Sequence, residues 1–414
     1  MRYPWLSGNR AKLAIVGLMI AGFVASANSG APVYAKQAAL FRAPLRPLTC
    51  PTAKCWEFEN VDYNTASGIC NQITGINSYE GIVGASRSCS GGPYQSFVGK
   101  IASPTATPNS TPGPYTFYAI NDPHSSSGDY NVFMQGEDEG TPGLTGLTVV
   151  GSWQPGGTLC PSNICGVSYK YGSSSSWTPI TDPNQGAGPC AVTEVLAIND
   201  SLEGVGYYEK NVGGLDACSQ QAFEYYTPEE GGSTVYLDIN PTATPAGAST
   251  EATSINQLGD VVGTLTYTTG TGSKEKTVTE GWLYADLNYY GIPCPSLCSG
   301  DNLYATGVNF NHNVVGYYDN PNTSATPVTT GFFAKDPEAS KGGFFVPIVD
   351  NADGNTGKYT AINAINDYCL IAGSARDSDF VLHGIIGYAP TKCNANTTME
   401  GRNHHAKSPA RPRS

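Results

Sequence analysis

Residues 255–263 read Ile255-Asn256-Gln257-Leu258-Gly259-Asp260-Val261-Val262-Gly263, and the pattern returns down the chain. An apolar residue and an Asn are followed, seven positions after the Asn, by a Gly. Ile76-Asn77 leads to Gly84, Ile198-Asn199 to Gly206, Val308-Asn309 to Gly316 and Ile365-Asn366 to Gly373. A short apolar pair stands before the Gly in most copies, as in Ile82-Val83, Val314-Val315 and Ile371-Ala372. The interval from Gly84 to Gly206 is about double the others. Leu147-Thr148-Val149-Val150-Gly151 fits there as a degenerate copy, with Leu144 where the Asn would be. The glycines at 84, 151, 206, 263, 316 and 373 are then 67, 55, 57, 53 and 57 residues apart. Self-similarity at such a period is the mark of a solenoid or a propeller.

Each unit has a second half, a small residue followed by a larger apolar one: Ser96-Phe97, Ser168-Tyr169, Ala222-Phe223, Gly281-Trp282, Gly331-Phe332 and Gly384-Ile385. The physical reading is four short strands per unit. The Asn closes the first strand, and its side chain can bond the backbone of the turn it opens. The apolar pair begins the return strand, and the Gly suits a bulge or a close approach of backbones. No stretch carries an apolar stripe at helical spacing. One such unit cannot bury its own apolar face, but radially stacked neighbours can, and closing the ring protects strand edges. The expected fold is therefore all-β, a β-propeller of six blades of four-stranded antiparallel sheet. The rival is an ordinary all-β protein whose hairpins happen to use Asn and Gly; the fixed step of seven argues against it.

The ends differ from the repeat. Arg2, Arg10 and Lys12 precede the uncharged apolar run Leu13–Ala25, whose 13 residues fall short of the about 20 that cross a bilayer. With Ala25-Ser26-Ala27 behind it, residues 1–27 read as a secretory signal peptide, with a second cleavage position near Ala35. Residues 28–60 form an N-terminal segment able to lend a strand to the last blade, 61–393 the repeat domain, and 394–414 a disordered basic tail. No membrane span is expected once the signal is removed.

Composition agrees with export. The 12 cysteines suit an oxidising compartment. Cys50 with Cys55, Cys160 with Cys165 and Cys294 with Cys298 are close in sequence, and Cys70 with Cys89, Cys190 with Cys218 and Cys369 with Cys393 each lie within a unit. These are disulfide candidates whose connectivity the spacing leaves open. Zinc is the rival reading of the closely spaced pairs, but four thiolates would have to converge from distant places. The formal charge is −12, and loss of the signal's three basic residues makes the chain more acidic, which disfavours nucleic acid.

The repeat resembles that of the bacterial extracellular repeat proteins of the HAF type. Their unit reads apolar-Asn-x-x-Gly-x-Val-Val-Gly, followed by His-Ala-Phe or His-Gly-Phe. Ile255 to Gly263 match the first element, and Gln221-Ala222-Phe223 and His383-Gly384-Ile385 match the second in part. The second unit lacks the Asn. The resemblance implies an exported repeat fold and supplies no reaction.

No catalytic constellation stands out. A G-x-S-x-G elbow is absent, and Gly270 to Lys274 lack the full phosphate-cradle frame. The run Asp350-Asn351-Ala352-Asp353-Gly354-Asn355 misses calcium-loop spacing, and Glu137-Asp138-Glu139 falls in an irregular insertion. No cofactor or metal is expected. The residues to inspect are Asp122, Asp138, Asp200 and Asp367, since loops on rigid scaffolds carry function. The expected role is non-enzymatic ligand binding or surface display, with carbohydrate or another exported protein as partner. The alternative is a carbohydrate-active enzyme with a carboxylate pair at the propeller mouth.

Overall fold

The structure is a computed structural model. It describes residues 56–101, 115–120, 132–137, 146–153, 160, 164–172, 176–213, 217–227, 233–242, 244–292, 302–320, 328–335, 337, 344–350 and 355–388. All of them belong to one compact unit, Pro47–Ala395. The expected signal peptide and basic tail lie outside the described residues.

The strands follow the repeat. After β1 (Glu57–Asn60), the first unit is β2 (Ile69–Ile76), β3 (Ile82–Ser88), β4 (Gln95–Ile101) and β5 (Tyr115–Ile120). The second is β6 (Val132–Glu137), β7 (Thr148–Trp153), β8 (Cys165–Lys170) and β9 (Ser176–Ile180). The third is β10 (Thr193–Ile198), β11 (Gly204–Asn211), β12 (Cys218–Tyr226) and β13 (Val235–Asp238). The fourth is β14 (Ser249–Ile255), β15 (Val261–Thr269), β16 (Lys276–Ala285) and β17 (Asn288–Gly291). These make four separate four-stranded antiparallel meanders. The remaining strands are β18 (Asn302–Val308), β19 (Val314–Asn320), β20 (Val328–Lys335), β21 (Phe344–Ile348), β22 (Asn355–Ile365), β23 (Ile371–Asp377) and β24 (Leu382–Tyr388). With β1 they form one eight-stranded sheet. The last two units thus share a sheet where six separate ones were expected. The strand pairing that joins them is a parallel one, of Thr329 with Tyr359.

The arrangement is that of a β-propeller. The first strands of five units, β2, β10, β14, β18 and β22, converge on one axial cavity, and neighbouring sheets pack face to face. Val83 and Val98 meet Leu147, Val149 and Val167; Val150 and Ile180 meet Val195 and Phe223. Val205 and Ala222 meet Val261 and Trp282, and Val262 and Leu283 meet Leu303 and Phe332. Val315 and Phe333 meet Ile362 and Ile385, and Ile386 and Ala372 return to Ile73 and Ile82 of the first unit. Each fully buried Val, Ile or Phe contributes about 1.5–3 kcal/mol, so the stacked faces supply what no single sheet could.

Closure uses the N-terminal strand. β1 pairs antiparallel with β24. Just beyond it, Val61 N–H donates to the Gly384 carbonyl at 2.7 Å, and Gly384 N–H donates to Asp62 at 3.0 Å. The His383 ring bridges Asp62 at 2.7 Å and Asp377 at 3.3 Å. Three of the proposed cysteine pairs are bonded: Cys70–Cys89, Cys160–Cys165 and Cys190–Cys218. Cys369 is also in a disulfide, and Cys50, Cys55, Cys294, Cys298 and Cys393 lie outside the described residues.

The recurring residues have defined jobs. The Asn side-chain oxygen accepts backbone N–H groups across its turn: Tyr79 and Gly81 for Asn77, Leu258 and Asp260 for Asn256, Asn311 and Asn313 for Asn309, Tyr368 and Leu370 for Asn366. Glu203 N–H bonds Asn199 in the same way. The third residue after each Asn has positive φ, and only one is a Gly: Glu80 (60°), Leu202 (55°), Gly259 (78°), His312 (56°) and Cys369 (65°). Every first strand carries a bulge, as between Ala252 and Ser254. Opposite it sits the repeat Gly. A Cβ on Gly206, Gly263, Gly316 or Gly373 would lie 1.9 to 2.0 Å from the carbonyl oxygen of Glu194, Glu251, Tyr304 or Ala361. On Gly84 it would lie 2.3 Å from that of Gln72.

The second unit departs from its expected alignment. Gly151 pairs with Met134, so the Asn-equivalent position follows Glu137 and is held by Asp138, not by Leu144. The turn is longer there because the insertion falls between β6 and β7; Asp138 and Leu144 themselves lie outside the described residues.

These geometries predict opposite effects at a strand position and a turn position. Gly263→Ala should lower unfolding free energy by about 3 kcal/mol, because backbone must move. Leu202→Gly should raise it by about 0.5–1 kcal/mol, by relieving a left-handed conformation. Urea midpoints of both variants check this; a neutral Gly263→Ala would contradict the packing described.

Candidate functional site: the propeller axis

The bulge decides what faces the axis. In each first strand the extra residue is turned out of the ladder, and Thr74, Leu196, Thr253, Thr306 and Asn363 all line the axial cavity. Its volume is about 70 Å³, room for a few water molecules. The polar linings are already engaged with the next sheet. Thr253 hydroxyl donates to the Ala305 carbonyl at 2.6 Å, Thr306 to Ile362 at 2.7 Å, and the Asn363 amide to Ile73 at 2.7 Å.

The aspartates singled out from sequence do not form a pair. Asp200 is exposed, and its N–H donates to the Gln257 side chain at 3.0 Å. Asp367 lines the cavity and accepts from Phe310 N–H at 2.8 Å; burial raises its pKa. They belong to the third unit and the last, with two units between them, and each ties its turn to an adjacent one. Asp122 and Asp138 lie outside the described residues.

A different pair comes together. Glu194 of β10 is buried and accepts hydrogen bonds from Tyr207 hydroxyl and Ser152. Burial nevertheless raises its pKa, with Glu209 adding to the effect. Glu251 of β14 is pushed up to about 7, first by burial and then by Glu194 and Glu209, while a hydrogen bond from Gln220 opposes the rise. A glutamate with a pKa near neutrality can both give and take a proton at pH 7. Glu194 and Glu251 each stand five residues before their motif Asn. The fold asks only for a backbone carbonyl there, since other units hold Gln72, Tyr304 and Ala361. Identity at this position is therefore free to serve function. The pair lies within strands, not in the loops where functional acids are expected, and its position in the repeat carries no fixed residue.

The sulfurs of Cys190 and Cys218 lie with a Glu209 oxygen in a group spanning no more than 4.8 Å. They are bonded to one another, so the group is not a thiolate metal site.

No family model matches the chain, and no curated protein matches it. Among solved structures, a Trypanosoma rangeli sialidase in complex with the inhibitor DANA is similar at 8% identity and TM-score 0.42, over 77% of this chain and 54% of that one. The chain thus spans about half the length of that sialidase. A Dyadobacter fermentans protein of unknown function is similar at 12% identity and TM-score 0.46, over 80% and 98%. A Penicillium chrysogenum alpha-L-arabinanase complexed with arabinobiose is similar at 14% identity and TM-score 0.40, over 80% and 96%. Likeness at this level carries no argument about activity, which rests on the site alone.

The raised pKa of Glu251 has a stability consequence. The unfolded chain ionises this carboxyl near its ordinary value of 4.5, the folded chain near 7. Stability is therefore lost as pH rises through that window. Glu251→Gln should raise the melting temperature relative to the parent at pH 8 and leave it unchanged at pH 4. An equal shift at both values would contradict the burial of this charge.

Proposed function

We propose that the protein is an exported propeller of the HAF-repeat type that binds a ligand without transforming it. Carbohydrate and other exported proteins are the partner classes. Six blades are the natural count. The eight-stranded sheet divides into two meanders with one parallel pairing between them, and each meander carries the same bulge and turn as the four separate sheets. The disulfides support export, and an extracellular or periplasmic location follows from that reading.

The observation that carries the binding role is the use to which the axial polar groups are put. Asp367, Thr253, Thr306 and Asn363 all bond neighbouring turns or strands. They hold the scaffold and leave a narrow cavity. A second reading, glycoside hydrolysis, is favoured by one feature: Glu194 and Glu251 on adjacent first strands, the latter with its pKa near neutrality.

One assay separates the two readings. The oxidised protein is incubated with cellulose, xylan, chitin, arabinan and sialylated glycoprotein, and reducing-end or sialic-acid release is followed. No release is expected. Release that disappears in Glu251→Gln would overturn the binding role in favour of hydrolysis.

A further inference from the structure

A row of aromatic rings runs along the outer seam between the first and second units. Tyr118 lies on β5, Tyr169 on β8, Tyr171 just beyond β8, and Trp177 on β9. Ring centroids are 6.0 Å apart from Tyr118 to Tyr171, 6.3 Å from Tyr171 to Tyr169, and 4.5 Å from Tyr169 to Trp177. All four are half-buried. They rest on a floor that is already dry, including Val98, Leu147, Val149 and Val167, so the seam is closed beneath them.

The hydroxyls of Tyr118, Tyr169 and Tyr171 and the indole N–H of Trp177 make no hydrogen bond to the protein among the described residues. Some tyrosines elsewhere find acceptors: Tyr208 donates to Asp238 at 3.1 Å, Tyr267 to Glu280 at 2.8 Å and Tyr388 to Glu57 at 2.8 Å. Among the described residues the row thus sets aromatic rings and donors without a protein acceptor side by side. Lys100 adds a cation over the Tyr118 ring at 5.6 Å.

Resting on the ligand-binding role above, we infer that this row is a carbohydrate-binding surface. A sugar ring has an apolar C–H face that stacks on an aromatic ring and an edge of hydroxyls that can pair with tyrosine hydroxyls and the indole N–H. An apolar peptide would cover four polar groups without satisfying them, which is unfavourable. A single-stranded nucleic acid could also stack on aromatic rings, but the formal charge of −12 opposes it.

The test is retention of the oxidised full chain on cellulose, chitin, xylan and peptidoglycan sacculi, with immobilised oligo-dT alongside. The parent is expected on at least one polysaccharide and not on oligo-dT. Trp177→Ala should weaken retention at least tenfold. The doubly substituted Tyr118→Phe, Tyr171→Phe keeps the rings, guards against misfolding, and should weaken retention at least threefold at unchanged melting temperature. Phe380→Ala, which removes an exposed ring 69% accessible on the β23–β24 turn, should change nothing. Retention on no polysaccharide, or equal retention on oligo-dT, overturns the inference. Retention lost in Glu251→Gln but intact in the row variants also overturns it, while leaving ligand binding at the axis standing.

Discussion

One hydrogen bond, repeated from unit to unit, organises this molecule. The side-chain amide of four of the five motif Asn residues donates to the backbone carbonyl of the next unit's Asn: Asn199 to Asn256 at 3.1 Å, Asn256 to Asn309 at 3.0 Å, Asn309 to Asn366 at 3.2 Å. The last link, Asn366 to Asn77 at 2.9 Å, crosses from the end of the chain to its beginning. All five of these side chains are buried, where an unmet donor or acceptor carries the full desolvation penalty. No other residue type fills the position so well. The oxygen fastens the turn within a unit, and the nitrogen fastens that unit to its neighbour.

The other invariants of the repeat follow from holding that Asn in place. For the turn to point at the next sheet, the first strand must bulge, and the bulge brings a carbonyl against the second strand. Only Gly tolerates that approach, hence the fixed distance of seven residues between Asn and Gly. The bulged residue is delivered to the axis, and Thr253, Thr306 and Asn363 use it to add a second set of links to neighbouring strands. Between units the contacts are apolar and unspecific in direction, so they supply stability while the polar links set the register of one sheet on the next.

This explains what the sequence made legible. Positions under backbone constraint, Asn77 to Asn366 and Gly84 to Gly373, repeat because geometry strongly favours one residue type, and they reveal strands, turns and closure. Positions whose side chains are free do not repeat, and these are where chemistry can sit. Glu194 and Glu251 occupy a site that elsewhere holds Gln, Tyr or Ala, so no pattern announced them. The aromatic row is invisible along the chain, because Tyr118 and Tyr169 come from different units and meet only across a seam. Asp200 and Asp367 looked functional as loop acids beside the motif, yet that position lets a side chain or its own amide reach the adjacent turn. The insertion between β6 and β7 hid the second unit's true alignment by lengthening its turn.

The most direct measurement on the central link is the urea midpoint of Asn366→Asp. The substitution keeps an oxygen to accept Tyr368 and Leu370 N–H groups and replaces the amide that reaches Asn77 with a second acceptor. Facing a buried carbonyl, it should reduce unfolding free energy by about 2–3 kcal/mol. A change under about 0.5 kcal/mol, within the range of ordinary surface substitutions, would contradict an amide relay as the feature that holds the ring together.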